Sequence, residues 1–204
     1  MKPFLTFVLV AGTLSSAQVH AATYDGSHLS PVQLGGIYGV SYGGEEIGPS
    51  VTVTGNGLTN KMSVRSGNLH FWMARVAVNI NPRGGMIIDL GRHWHHYDEN
   101  DGDVQFSRYR VSVIPFYRDH HSLRWGIGPT FDFDTKYQAD LPSVGSVRES
   151  FDPAFGIVAD LSYDPLETFY TAGIKAQWIN YQSSKGTNVS GSHIAVYIGI
   201  ELDY

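Results

Sequence analysis

A serine hydroxyl becomes a nucleophile when a histidine base lies beside it and an acid orients that histidine. His95, Ser107 and Asp134 supply these three residue types in the middle of the chain. Nothing in their spacing places them within hydrogen-bond reach of one another. They are weak catalytic candidates, and the sequence predicts no catalytic site.

The stretch HWHHYDENDGD (93–103) carries the residue types of a metal site. His93 and His95 are two apart on one strand, so both point to one face and could share Zn²⁺ with a third ligand. Histidines bonded to aspartate or arginine are the commoner case. If Asp98 began a calcium loop, glycine would be the fifth rather than the sixth residue, and glutamate is missing at the twelfth position. We therefore predict a solvated acidic loop and neither a metal nor another cofactor.

Composition excludes several classes of function. The net charge of −5 provides no basic surface for nucleic acid, and the absence of cysteine excludes thiolate catalysis and cysteine-ligated metals. Charged residues make up 16% of the chain, against roughly 25% in a soluble globular domain. This shortage indicates that much of the surface does not face water.

The first 21 residues have the pattern of a secretory signal peptide. A basic residue, Lys2, precedes an apolar run and the small-residue site Val19-His20-Ala21. The apolar run is about ten residues long, whereas a spanning helix needs roughly 20. We expect cleavage after Ala21 and a single mature domain over 22–204.

The mature chain alternates apolar and polar residues with a period of two, which is typical of β-strands. The cleanest case is SLRWGIGPTFDFD (122–134), in which Leu123, Trp125 and Ile127 alternate with Arg124, Gly126 and Gly128. Eight such stretches occur: 32–42, 69–80, 86–96, 107–117, 122–134, 151–163, 168–181 and 193–204.

The connections between these strands alternate in length. NPRGG, RDHHS and DPLE are short turns, whereas 43–68, 97–105, 136–150 and 182–191 are long and polar. Short turns at one end and long loops at the other are typical of bacterial outer-membrane barrels. We predict an all-β fold, an eight-stranded antiparallel up-and-down transmembrane β-barrel.

The content of the polar face separates a membrane barrel from a soluble, lipocalin-like one. This face is rich in glycine, serine and threonine and has nearly balanced charge, as a narrow lumen requires, because an isolated buried charge is prohibitive. The predicted lumen ion-pair network comprises Arg75, Asp89, Arg108, Arg110, Arg124, Asp132, Asp134, Asp160, Lys175 and Glu201.

The opposite, lipid-facing side carries aromatic residues towards the strand ends, where interfacial girdles form. The predicted girdle comprises Trp72, Trp94, Tyr117, Tyr163, Tyr170, Trp178 and Tyr204. Arg92 also falls on this side by strict alternation. It either extends to the outer headgroups, where it could contact a lipopolysaccharide phosphate, or is turned inward by a bulge.

Four stretches resemble small eight-stranded outer-membrane barrels of the OmpX/Ail type and, more distantly, the membrane domain of OmpA. They are QLGGIYGVSY (33–42), SLRWGIGPTFDF (122–133), FGIVADLSYDPLETFYTAGIKAQWINY (155–181) and the closing IAVYIGIELDY (194–204). The alternating last strand, ending on Tyr204, resembles the signal that such proteins present to their outer-membrane assembly machinery. The resemblance implies a location in the bacterial outer membrane, in contact with lipid that includes lipopolysaccharide.

Eight strands enclose only enough space for side chains, so we expect function in the loops. The SVTVT segment (50–54) could extend the first hairpin and expose a strand edge to an extracellular ligand or host surface. The expected role is structural, adhesive or stress-related. The alternative is an enzyme that modifies lipid A, as some small barrels do.

Overall fold

The computed structural model describes residues 30–55, 58–67, 69–99, 102–119, 122–141, 145–165, 168–183, 186 and 188–204. Residues 48–55, 58–64, 97–99, 102 and 141 are described by their backbone alone. The predicted signal peptide (1–21) lies outside these ranges. Over the described ranges we find no helix of the length and apolarity needed to cross a membrane.

The described residues form twelve β-strands. They are β1 (Val32–Gly43), β2 (Glu46–Gly55), β3 (Leu58–Arg65), β4 (His70–Asn81), β5 (Gly84–Glu99), β6 (Gly102–Arg118), β7 (Leu123–Leu141), β8 (Gly145–Phe151), β9 (Ala154–Tyr163), β10 (Tyr170–Gln182), β11 (Asn188–Ser190) and β12 (His193–Asp203).

Eight of these strands form a closed antiparallel ring. Its order is β1, β4, β5, β6, β7, β9, β10 and β12, and β12 returns to pair with β1 from Gln33↔Asp203 to Gly43↔His193. The remaining four lie beyond one end of the ring: β2 pairs with β3, β8 with β7, and β11 with β10. We call this the loop end, and the opposite end, with the short connections, the turn end. The predicted eight-stranded up-and-down barrel is confirmed.

The alternation of β7 sets the polarity of the barrel wall. Arg124 and Asp132 are 0% exposed, whereas Ile127 is 58% exposed on the outside. The outward apolar face runs from Leu123 to Phe133, roughly 33 Å of strand at about 3.3 Å per residue, which a tilt of about 40° reduces to about 25 Å. This is the height of a membrane hydrocarbon band, as expected for the transmembrane barrel that the sequence predicts.

A β-bulge in β7 inverts this alternation towards the loop end. Ser107 pairs with Lys136 but Tyr109 with Phe133, so Asp134 and Thr135 both oppose a single residue of β6. Asp134 has a φ of 50° and an exposed side chain, while Thr135 is buried. The sequence prediction that Asp134 lines the lumen is therefore wrong, because strict alternation does not anticipate the extra residue.

Three of the predicted long loops are mostly strand. Residues 43–68 contain β2 and β3. Residues 97–105 and 136–150 belong largely to β5, β6, β7 and β8, which continue beyond the apolar belt. In this region the polarity reverses: Phe106, Tyr137 and Ala139 are buried inside, whereas Gln138 and Asp140 are exposed. The sixth predicted strand, 151–163, is interrupted at Asp152-Pro153, where β8 ends and β9 begins.

A hydrophobic core closes the loop end. It comprises Ile47, Leu69, Val104, Phe106, Tyr137, Ala139, Phe151, Ala154, Ile179, Tyr181 and Val189. Two smaller apolar clusters lie deeper in the barrel, one around Phe71 and Met73 and the other around Ile87 and Phe116. The interior thus alternates between apolar packing and layers of charge.

The bulge gives a testable prediction. Asp134→Val should lower the free energy of unfolding by about 1–2 kcal/mol, because a β-branched residue is strained at a positive φ. Asp134→Asn removes the same exposed carboxylate but tolerates this backbone conformation, so it should change stability little. Urea titration of the refolded protein measures both. Equal effects of the two substitutions would contradict the bulge.

Candidate functional site: the charged interior and the outer wall

The lower charge cluster lies in the half of the barrel towards the turn end. Arg75 bonds Asp89 through both carboxylate oxygens, with Nε–Oδ1 at 2.7 Å and Nη2–Oδ2 at 2.9 Å. Lys175 Nζ lies 2.8 Å from both Asp89 Oδ2 and Asp160 Oδ2. Bidentate and shared carboxylate contacts satisfy several donors at once, so side chains of the protein compensate these charges.

The same cluster continues to the mouth at the turn end. Arg124 bonds both oxygens of Glu201 at 2.9 and 2.6 Å, and Arg118 Nη2 lies 2.6 Å from Asp164 Oδ2. Arg75 links the two halves through Glu201 Oε1 at 3.3 Å. Four cations therefore face four carboxylates: Arg75, Arg118, Arg124 and Lys175 against Asp89, Asp160, Asp164 and Glu201.

The upper charge cluster lies nearer the loop end, below the hydrophobic core. Arg110 holds Asp132 through Nε–Oδ1 at 2.6 Å and Nη2–Oδ2 at 2.7 Å, and Tyr181 donates its hydroxyl to the same carboxylate. Arg108 Nε lies 3.2 Å from Asp132 and its guanidinium lies 5.5 Å from the Tyr181 ring. Two arginines thus share one carboxylate, and ring faces stabilise the additional positive charge.

Two histidines complete the upper cluster. Nη1 of Arg110 lies 3.2 Å from His93 Nε2 and 3.4 Å from His193 Nε2. A guanidinium can only donate, so both Nε2 atoms accept and both rings are neutral, with the proton on Nδ1. Nδ1 of His193 accordingly donates to the carbonyl oxygen of Gly191 at 2.7 Å. The histidines act here as acceptors for arginine.

Nine of the ten predicted lumen residues lie in these two clusters, and Asp134 is the exception. Sequence reasoning missed Arg118, Asp164, Tyr181, His193 and Tyr197, of which Tyr197 Oη bonds Asp160 at 3.0 Å. Arg118 and Asp164 were assigned to turns, yet both continue the inward parity of their strands. Extending the predicted strands 107–117 and 151–163 by one residue each would have placed Arg118 and Asp164 in the lumen.

Two titratable groups outside the apolar belt respond to burial. Burial raises the pKa of the Asp164 carboxyl at the turn end, even though Arg124 and Arg118 oppose this effect. Burial also raises the pKa of the Tyr137 hydroxyl at the loop end, and Glu149 adds to the shift. The Asp164 carboxyl therefore holds its charge less firmly than an exposed aspartate does.

The catalytic candidates are not assembled into a triad. Ser107 and Asp134 line one pocket on the outer wall, but His95 is not among the residues that line it. The polar neighbour is Lys136, whose Nζ lies 2.6 Å from Asp134 Oδ1.

A metal site is also not formed by the described residues. They contain no group of three or more histidine, cysteine, aspartate or glutamate side chains that could hold an ion. His93 stacks on Phe71 with ring centroids 4.9 Å apart. His95 is only partly buried, so the two histidines of the HWH motif have separate surroundings.

The predicted girdle residues all lie on the outer wall. Tyr117, Tyr163, Tyr170 and Tyr204 are exposed towards the turn end, whereas Trp72, Trp94 and Trp178 lie towards the loop end. The prediction omitted several outward aromatics of the loop-end row: Tyr38, Tyr42, Tyr109, Phe131, Phe133 and Phe155. Arg92 lies on the same wall, with its guanidinium 5.8 Å from the Tyr109 ring.

The lower cluster gives a prediction about stability. Arg124→Leu should lower the free energy of unfolding by about 3–5 kcal/mol, because it leaves Glu201 and Asp164 buried beside fewer cations. Arg148→Leu, at an exposed position of β8, should change it by less than about 0.5 kcal/mol. Urea titration followed by heat-modifiable gel migration measures both variants. Equal stability of the two would contradict the buried network.

Comparison with known proteins places this geometry in a wider context. No family model matches the sequence, and no curated protein does. The structure is similar to the crystal structure of Ail, the attachment invasion locus protein of Yersinia pestis, with a TM-score of 0.56 and 16% identity over 85% of this chain and 100% of that one.

Ail in complex with the heparin analogue sucrose octasulfate matches with a TM-score of 0.55 and 15% identity, again over 85% of this chain and 100% of that one. Neisserial surface protein A has a TM-score of 0.43 and 12% identity over 85% of this chain and 96% of the other. The resemblance found in the sequence is therefore confirmed at the level of the fold: this chain has the fold of the small eight-stranded outer-membrane β-barrels.

Proposed function

We propose that this chain is an integral protein of the bacterial outer membrane that contacts other surfaces through its loop end and does not conduct ions. The signal peptide predicted over 1–21 would direct export, and the last strand would be presented to the assembly machinery. The barrel then holds the loop end outside the cell. The observation that carries this proposal is the extension of β5, β6, β7 and β8 beyond the apolar belt.

The extension offers an unpaired strand edge. β8 pairs with β7 on one side. On its other side, the contacts among the described residues lie at its C-terminal end, where Phe151 forms a bridge with Ser183 and the Ser183 hydroxyl donates to Glu149. Free backbone donors and acceptors at such an edge can pair with a strand of another protein. Ser146, Arg148 and Ser150 are exposed along β8, so the edge is accessible from the outside.

The filled interior supports a role without conduction. Arg75, Arg108 and Arg124 are among the largest fully buried side chains, and the hydrophobic core lies above them. Eight strands leave room only for side chains. An ion would have to displace both the aromatic core and two layers of paired charge to cross.

The charge of the loop end favours a partner that is not a polyanion. Exposed or partly exposed carboxylates outnumber lysines and arginines among the described side chains of this region: Glu45, Glu46, Asp103, Asp134, Asp140, Glu149 and Asp152 against Arg65, Lys136 and Arg148. Ail has been crystallised with a sulfated heparin analogue. For this chain we propose a neutral or cationic surface instead, because like charges repel a sulfated glycan.

We propose that the protein binds other surfaces rather than acting as an enzyme. The pocket on the outer wall that contains Ser107 is lined by a lysine paired with Asp134 and by no histidine. The alternative function is that of an enzyme that modifies lipid A, and measuring the mass of lipid A distinguishes it from surface binding. Lipopolysaccharide is then a neighbour of the barrel and not its substrate.

Blunting the free edge of β8 tests this proposal. The double variant Ser146→Lys/Ser150→Glu places charges along the edge without changing net charge. Adhesion of cells that carry it to a cultured cell layer should fall to the level of cells lacking the protein. Lipid A from cells with and without the protein should have the same mass.

The matched control is Asn180→Glu/Gln182→Lys on β10, where both residues are already paired with β11. It should adhere like the wild type, and all variants should fractionate with the outer membrane and show heat-modifiable migration. Full adhesion of the β8 variant would refute the contact role. A shift of lipid A by one acyl chain would favour the enzyme.

A further inference from the structure

The outer wall carries a polar pocket at the upper edge of the apolar belt. It spans β5, β6 and β7, has a volume of about 220 Å³ and is lined by Arg92, Ser107, Tyr109, Asp134 and Lys136, with two glutamines above them. We call it the wall pocket. It faces away from the barrel interior, on the side where acyl chains end and headgroups begin.

Arg92 is the unusual member of the wall pocket. Its strand neighbours in register are Trp72 and Tyr109, both exposed on the apolar wall. Nε of Arg92 is buried without a hydrogen-bond partner, and the described residues provide no carboxylate within ion-pair distance of its guanidinium. A cation in a lipid-facing wall is costly unless an anion accompanies it. This anion must come from outside the described protein.

The β-bulge brings a second cation to the same place. Without the extra residue, the even-numbered positions of β7 would continue to face inward, as Asp132 does. The bulge turns Lys136 outward, directly opposite Ser107 on β6. Lys136 is paired with Asp134, so the wall pocket holds two cations against one carboxylate.

The donors and the net charge of the wall pocket fit a phosphate group. Arg92 and Lys136 supply charged donors, and the hydroxyls of Ser107 and Tyr109 lie in the same pocket. Arginine beside lysine and hydroxyl donors is the usual environment of a bound phosphate.

Aromatic rings continue downward from this pocket along the wall. Ring centroids are 5.8 Å apart for Tyr109 and Phe133, 5.9 Å for Phe133 and Phe131, and 4.6 Å for Phe131 and Phe155. Such a row offers a continuous apolar surface just below the two cations. The ligand that fits both features has a phosphate head and acyl chains.

We propose that the wall pocket binds the phosphate of an outer-leaflet glycolipid whose acyl chains lie against this aromatic row. The proposal rests on the proposed outer-membrane location. In this proposal the bulge at Asp134 has a functional role, because it turns the Lys136 side chain towards the lipid. Asp134 then limits the affinity by opposing the phosphate charge.

Native mass spectrometry of the refolded protein in detergent tests the proposal, with lipid A and enzymatically dephosphorylated lipid A as competing probes. The wild type should bind the phosphorylated form in preference. Arg92→Gln/Lys136→Gln should reduce this preference by about three- to tenfold, as expected for the loss of charge-assisted bonds. Asp134→Asn should increase it, because it removes the opposing carboxylate.

The control is Arg148→Gln, which removes one positive charge from the exposed face of β8 and should leave the preference unchanged. Inorganic phosphate at millimolar concentration should not displace the lipid. Equal binding of the two lipid forms, or an equal effect of Arg148→Gln, would overturn the proposal. Displacement by inorganic phosphate would overturn the lipid assignment and leave a phosphate site.

The Asp134→Asn variant keeps the proposal testable if the double variant does not refold, since an unchanged preference in that variant also counts against it. Fractionation separates this inference from the proposed function. If the protein fractionates with the outer membrane but binds both lipid forms equally, the phosphate-binding role of the wall pocket is refuted and the proposed outer-membrane location is not.

Discussion

Every charged side chain sealed inside this barrel must meet opposite charge or a hydrogen-bond acceptor, because neither acyl chains nor packed side chains hydrate it. The pairs Arg75–Asp89, Arg124–Glu201 and Arg110–Asp132 satisfy this constraint with two bonds each. Arg75–Asp89 and Arg110–Asp132 join neighbouring strands in register, whereas Arg124 on β7 and Glu201 on β12 join strands that are not neighbours in the ring. The constraint explains why the apolar side chains face outward and why the interior is closed.

The polarity of the wall reverses once along its height. Within the belt, charge lies inside and apolar side chains outside; beyond it, Phe106, Tyr137 and Phe151 pack inside while polar residues face out. In β7 the bulge at Asp134 provides this change. The lower part of the molecule has an apolar outer surface that matches lipid. The upper part has an apolar interior and a polar outer surface, as a small soluble barrel does, and this polar surface is available to contact its surroundings.

Period-two alternation was sufficient to predict the strands, the closed barrel and nine lumen residues, because a strand with different environments on its two faces must alternate. It failed where a local event changed the count. Asp134 was misplaced because nothing in FDFDTK marks the added residue of the bulge. Residues 97–105 and 136–150 resembled loops because their outward faces are polar, and only the long-range packing of the loop-end core holds them as strands.

The orientation of the wall can be measured most directly through the tryptophans. All four lie on the outer wall: Trp72, Trp94, Trp125 and Trp178. In the protein refolded into vesicles, lipids brominated on their acyl chains should quench most of the tryptophan fluorescence, and aqueous iodide should quench little. Strong quenching by iodide together with weak quenching by brominated lipid would contradict a barrel whose apolar side contacts acyl chains and whose charged side fills the lumen.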